Sequence, residues 1–219
     1  MYLKIATARL LMLILAIALS PNPVSALQAN PVHTHIGHVA TAFGRAPDGA
    51  GLLPTAMAEA QTAIDHVDLA WRDTSNLEWM QRHVAHVLRA LDPSQVDEGP
   101  GLGFGVIAAA EGIAQHIELA ANSDGASDAV RTHATHVATA ARTVAERAEE
   151  IGQLAAQVES ARDYSEAEGL TGRIRRLANQ LLEGEDGNDD GQIGWGDGEG
   201  GLAQVARHTG LLMSAEGLE

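Results

Sequence analysis

Residues 66–91, HVDLAWRDTSNLEWMQRHVAHVLRAL, decide the fold. Read at about 100° per residue, Val84, Val87, Leu88 and Leu91 share one side of a helix, and Val67 and Trp71 continue the apolar side of a preceding one. DTSN between them supplies turn and N-cap chemistry. The stretch therefore predicts a helical hairpin. Laid without a gap over residues 116–141, HIELAANSDGASDAVRTHATHVATAA, it matches His66 to His116, His83 to His133 and His86 to His136. Val67–Asp68–Leu69–Ala70 likewise falls on Ile117–Glu118–Leu119–Ala120. Such a repeat predicts two copies of one hairpin, packed as a four-helix bundle over residues 54–160.

The histidines lie inside or at the edge of the apolar stripes, on surfaces that face other helices. His66 and His83 are equidistant from the first turn, and His116 and His133 from the second, so each lone histidine is expected at the height of the first member of its pair. The second member follows about one turn along the same side. Sequence alone thus predicts two triads, His66 with His83 and His86, and His116 with His133 and His136. Imidazoles left unpaired in a core cost about 1–3 kcal/mol each, whereas a shared metal ion satisfies them. All-imidazole ligation suits copper, zinc, iron or nickel, and three ligands leave a coordination position open. No Glu-x-x-His di-iron pattern and no His-Glu-x-x-His zinc-protease pattern is present.

Paired hairpins giving three histidines each resemble, in layout, the type 3 copper proteins. The pairs of that family are spaced His-x-x-x-His among bulky aromatics, and neither feature occurs here. Further histidines sit outside the repeat. His33, His35 and His38 fall in HTHIGHV, and His208 lies among Ala203, Val205 and Leu212. They are candidates for a third site or for a cover over the bundle.

Outward from the bundle, no segment shows strand alternation, so the fold class is all-α. Residues 27–53 read as an irregular, histidine-containing lead-in. Residues 161–219 read as a helix near 165–183, an acidic glycine-rich loop and a last helix over about 202–215. Within that loop, DGNDDGQIGWGD at 186–197 resembles the calcium loop of the EF-hand family. The resemblance assigns Asp186, Asn188 and Asp190 to the first, third and fifth ligand positions. It gives Gly191 the sharp turn, Gln192 a carbonyl ligand, and Asp197 the place where the family has a longer Glu. Glu199, two residues on, is a substitute for that last ligand.

The first residues read as a targeting segment. Lys4 and Arg9 flank the start of LLMLILAIAL, and SPNPVSA follows as a small-residue cleavage site, so residues 1–26 form a signal peptide, with Ala29 as the second choice of cleavage site. This predicts export to the periplasm or beyond, with no membrane segment after cleavage. The chain has no cysteine, which excludes disulfides and thiolate sites. Its formal charge is −15, more negative by two once Lys4 and Arg9 leave, a surface that repels nucleic acid and anionic membrane and attracts cations. Aromatics are only 3% of residues, so little bulk is available to hold a planar cofactor. The predicted function is that of an exported metal-binding protein. The alternatives are an oxidoreductase or hydrolase using the open coordination positions, a haem-binding bundle (though without a Cys-x-x-Cys-His attachment motif), and a calcium-ordered interaction module.

Overall fold

The computed structural model describes residues 30–218. The signal peptide read at 1–26 lies outside the described residues. Seven α-helices account for the architecture: α1 Pro31–Ala40, α2 Leu52–Trp71, α3 Leu77–Leu91, α4 Val106–Asn122, α5 Asp128–Ser160, α6 Tyr164–Glu183 and α7 Leu202–Glu216. Among the described residues there is no strand beyond a single bridge between Ala42 and Ala50. The fold is an all-α bundle. No described helix is long and apolar enough to cross a membrane.

Short polar side chains start four of these helices. Asn30 accepts from Val32 N at 3.0 Å, Asn76 from Trp79 N at 3.0 Å, Ser127 from Val130 N at 3.1 Å and Asp163 from Glu166 N at 3.0 Å. Pro31 occupies the first helical position of α1, where its missing N–H costs nothing. Cap and proline together make residues 31–40 a helix where the sequence had suggested an irregular lead-in. Val32, Ile36 and Val39 of that helix are fully buried.

Alanine shapes the core. Ala56, Ala60, Ala63 and Ala70 of α2, Ala109, Ala110 and Ala120 of α4, and Ala140, Ala141 and Ala148 of α5 are all fully buried. Side chains this small let helix axes approach closely, and leucine, isoleucine and valine fill the spaces between. At 33 residues, α5 is the longest helix and extends about 50 Å. It packs against α3, α4, α6 and α7. Helix α1 lies mainly on α4, and α6 lies across α2 and α5.

One buried carboxylate fixes the connection between the hairpins. Glu59 of α2 has no solvent exposure, and its Oε1 accepts from Phe104 N at 2.8 Å and Gly105 N at 3.0 Å while Oε2 accepts from Leu102 N at 3.1 Å. Three backbone donors on one carboxylate pull the loop before α4 onto α2. Gly101 is needed there, because a Cβ at its φ of 105° would stand 2.6 Å from Glu59 Oε2.

Candidate metal centres

The structure brings nine of the ten histidines together in three groups of three, and within each group the three ligand nitrogens lie within 4.8 Å of one another. The groups are His35, His38 and His116; His66, His83 and His86; and His133, His136 and His208. Only the second matches the triad expected from its hairpin. His116 does not meet His133 and His136. It turns to α1, where His35 and His38 wait, and the α5 pair takes its third member, His208, from α7.

Helix periodicity explains why each ring stands where it does. All three pairs fall in the pattern His-x-x-His-Val, at residues 35–39, 83–87 and 133–137. The residue after the first histidine (Ile36, Val84, Ala134) and the closing valine (Val39, Val87, Val137) are at most 2% exposed. Those two positions point into the core, which leaves the histidines on the flank of the buried stripe. The lone histidines follow one rule as well. Around His66, His116 and His208, the residues three before and four after are fully buried: Ala63 and Ala70, Ile113 and Ala120, Val205 and Leu212. A pair on one helix flank thus meets a single histidine on the flank of its neighbour. The pattern that gives the third group away is the triple occurrence of His-x-x-His-Val.

The three groups share one geometry. The lone histidine Nδ1 lies 3.0, 3.1 and 3.2 Å from Nδ1 of the first pair member, in the order His116–His35, His66–His83 and His208–His133. It lies 3.3 Å from Nδ1 of the second member in all three. The second ring stands nearly perpendicular to the lone one, at 79°, 87° and 76°, while the first is inclined by 34°, 24° and 35°. Three nitrogens held about 2.0–2.1 Å from one ion at near-tetrahedral angles are ~3.3 Å apart. Two edges of each triangle meet that spacing, and the third closes within 4.8 Å.

Hydrogen bonding alone satisfies the rings poorly. A neutral imidazole nitrogen carries either one proton or one lone pair. A central Nδ1 within 3.3 Å of two others therefore completes at most one good bond, and a cation at the centre draws in all three lone pairs. Protons compete weakly for that position. Burial, first, and the cationic forms of neighbouring side chains, second, lower the pKa of His35, His66, His83, His86, His116, His136 and His208 below the ordinary 6.5, and His208 falls to about 4. At neutral pH these imidazoles are neutral, the form that can donate a lone pair to a metal ion. Nitrogens this close could all reach one metal ion and leave no room for a porphyrin to pass between them, so the geometry does not favour haem.

Each group also has an aromatic wall, although the chain has only seven Phe, Trp and Tyr residues. Phe43 lies 5.5 Å from His38 and 5.2 Å from His116, Trp79 4.3 Å from His83, and Trp195 4.0 Å from His136 at an interplanar angle of 18°. Periodicity identifies the ligands but not these walls, which come from a loop, the helix itself and a second loop respectively. Most of the nine histidines are half-buried, and His83 is buried. The centres are therefore seams partly open to solvent. His33, the tenth histidine, joins no group. Its Nε2 pairs with Glu216 Oε2 at 3.0 Å.

The acidic loop folds around its own carboxylates. Asp186 accepts from Asp190 N at 3.1 Å and Gly191 N at 2.8 Å, Asn188 from Asp190 N at 2.9 Å, and Asp190 from Gln192 N at 2.8 Å. Gly191 has φ 82°, the left-handed turn for which glycine is suited. Asp197 is exposed, whereas Glu199 is 5% exposed, with Oε2 accepting from Gly194 N at 2.8 Å. Arg147 of α5 closes the loop by donating to the carbonyls of Gln180, Gly198 and Gly200 at 2.9, 2.8 and 3.1 Å.

These features define a class: an all-α bundle with three histidine triads, each built by two helices. No protein-family model matches the chain, and no curated protein and no solved structure matches it. The class rests on this chain's own residues.

Proposed function

We propose that the protein is exported and holds transition-metal ions, one at each of its three histidine triads. The observation that carries this reading is the threefold recurrence of one Nδ1 geometry on six different helices. Core packing has no reason to copy such an arrangement. Nitrogen donors without thiolate or carboxylate suit copper, zinc, nickel or iron over magnesium or calcium. A centre of three ligands, half-open to solvent, suits reversible holding and transfer better than a closed structural site with four ligands. The charge of −15 draws cations to the surface.

The acidic loop is proposed to take calcium. Its Asp186, Asn188, Asp190, Gln192 order and its Gly191 turn support the EF-hand likeness, and the buried, unpartnered Oε1 of Glu199 makes that residue a better final ligand than Asp197. Export is supported by the charged, apolar and small-residue order of residues 1–26. N-terminal sequencing of the protein from an extracytoplasmic fraction should read from Leu27.

Elemental analysis of the purified protein tests the main reading. Three equivalents of transition metal per chain are expected, with none in a variant carrying His66→Ala, His116→Ala and His208→Ala. An unmutated protein that takes up no such metal after dialysis against zinc or copper would reject the reading. The partial exposure of each triad also supports a second reading, metal-dependent hydrolysis or oxidation, which requires turnover that vanishes in the same triple variant.

A further inference from the structure

Only one of the three aromatic walls belongs to the acidic loop. Trp79 is part of α3 itself, four residues before His83, and Phe43 lies in the connection between α1 and α2. Trp195 instead sits between Asp190 and Glu199, and its ring stacks on His136. A cavity of about 550 Å³ is lined by Asn188, Asp190 and Glu199 from the loop together with Arg207 and His208 from α7, so loop and third triad share one space.

Within that space one polar atom lacks a partner. Glu199 is 5% exposed, and its Oε1 is buried without a hydrogen bond, although Oε2 is satisfied by Gly194 N. A buried carboxylate oxygen left in this way is destabilising unless a cation completes it. The flanks of the loop are fixed. Glu185 N donates to Glu199 O at 2.9 Å, and Arg147 holds Gly198 and Gly200 against α5, the helix that also carries His133 and His136. Gly200 is so close to α5 that a Cβ there would stand 2.7 Å from Ala140 Cβ. With both ends pinned, closure of the loop around an ion acts on the residues between them, Trp195 included.

We propose that calcium bound by Asp186, Asn188, Asp190 and Glu199 regulates the third triad, holding Trp195 against His136 and raising the affinity of the His133, His136 and His208 centre for its transition metal. The proposal rests on the reading that the triads bind such metals. Linkage makes the effect reciprocal, so metal at the third triad tightens calcium by the same factor. Among the described residues, no hydrogen bond or ring contact joins the first two triads to the loop, so they serve as internal controls.

Two variants of the full chain isolate the comparison. His66→Ala with His116→Ala leaves only the third triad, and His116→Ala with His208→Ala leaves only the second. Zinc affinity is measured by chelator competition with and without about 1 mM calcium, a level suited to weak extracytoplasmic sites. The third-triad protein should bind zinc roughly fivefold or more tightly with calcium, the lower end of ordinary coupling between sites, while the second-triad protein should not change. Glu199→Gln and Trp195→Ala, each with unchanged helical circular dichroism, should abolish the difference. In a Trp71→Phe, Trp79→Phe protein, calcium should also alter the fluorescence of Trp195. Zinc affinity indifferent to calcium, in a third-triad protein shown by calorimetry to bind calcium, would overturn the proposal. So would an absence of calcium binding. Failure of zinc to bind any triad, with calcium still binding, would instead strike at the metal-holding function itself.

Discussion

The hairpins α2–α3 and α4–α5 carry three histidines in the same register, yet only the first closes a triad on itself. His66 meets His83 and His86 across α2–α3. In α4–α5 the same positions part company, His116 going to α1 and the His133, His136 pair to α7. Equal distance from a turn fixes a shared height, but not a shared direction around the helix axis. In the second hairpin, outer helices pack on both members, α1 on α4 and α7 on α5, and supply the flanks that the histidines face. The repeating unit is therefore smaller than a hairpin. It is a His-x-x-His-Val flank meeting a lone histidine on any adjacent helix, whether next in sequence or far from it.

Pairwise replacement separates the two hairpins most sharply. If His133 and His208 belong to one centre, His133→Ala with His208→Ala should lose one metal equivalent of three, no more than either change alone. His116→Ala with His133→Ala should lose two, because those residues serve different centres. A hairpin-closed second triad gives the opposite pattern. Stoichiometry by elemental analysis separates the two outcomes, and a His116→Ala, His133→Ala protein that retains two equivalents would restore the hairpin arrangement.

Glu59 is the place to test how the connection between the hairpins contributes to stability. Glu59→Gln keeps the volume but sets an amide N–H against a backbone N–H that now has a carboxylate. A buried donor left unpaired costs about 1–3 kcal/mol, and loss of charge weakens the other bonds. A decrease of roughly 2–3 kcal/mol in the unfolding free energy of the metal-free protein is expected from urea denaturation, with metal stoichiometry unchanged. A loss of metal from the variant would mean that the inter-hairpin connection positions the triads as well as stabilising the bundle.

Helices α2 to α7 follow from apolar periodicity and cap residues, because both signals are local. Seven of the nine triad members stand out as histidines beside apolar stripes, whereas His35 and His38 lie in the segment that reads as an irregular lead-in. The grouping does not stand out, because it depends on which helices become neighbours, and α1 was hidden. Ten residues offer too little periodicity to distinguish a short helix from a lead-in, and the Asn30–Pro31 start was its clearest mark. The aromatic walls were illegible for a related reason. Phe43 and Trp195 stand in irregular segments, where spacing says nothing about direction.

Acid should distinguish the triads from ordinary surface histidines. Unfolded imidazoles take up protons near 6.5, whereas burial holds most of the triad members neutral to lower pH, and His208 to about 4. The unfolded chain then binds more protons than the folded one between those limits. Stability of the metal-free protein is thus fully present above about 6.5 and is lost as pH falls toward 4. Thermal unfolding across that window should show a declining midpoint, and His208→Ala should flatten part of the slope. A midpoint that does not change between pH 7 and 5 would mean that the rings protonate as freely folded as unfolded.

The smallest expected effect concerns the contact that joins the two outer helices. Glu216, near the end of α7, accepts from Ser127 Oγ at 2.6 Å and pairs with His33 Nε2 of α1 at 3.0 Å, while Ser127 Oγ also caps α5 by accepting from Val130 N. One carboxylate thereby links α1, α5 and α7, the helices that complete the first and third triads. The hydrogen bond from Ser127, first, and His33 with it lower the Glu216 pKa below its usual value, against the opposing effect of burial. Its contribution is therefore present above the unfolded carboxyl pKa of about 4.3 and is lost as pH falls through the folded one. His33 is partly exposed, and a pair open to solvent contributes at most about 1 kcal/mol. Glu216→Gln retains an oxygen for Ser127 but loses the charge, so a decrease of roughly 0.5–1 kcal/mol is expected at pH 6 and low salt, shrinking at high salt. Because the α2–α3 triad needs neither outer helix, any accompanying loss of metal should fall on the first and third centres. Loss from the second centre would show that the triads are not independent units of the bundle.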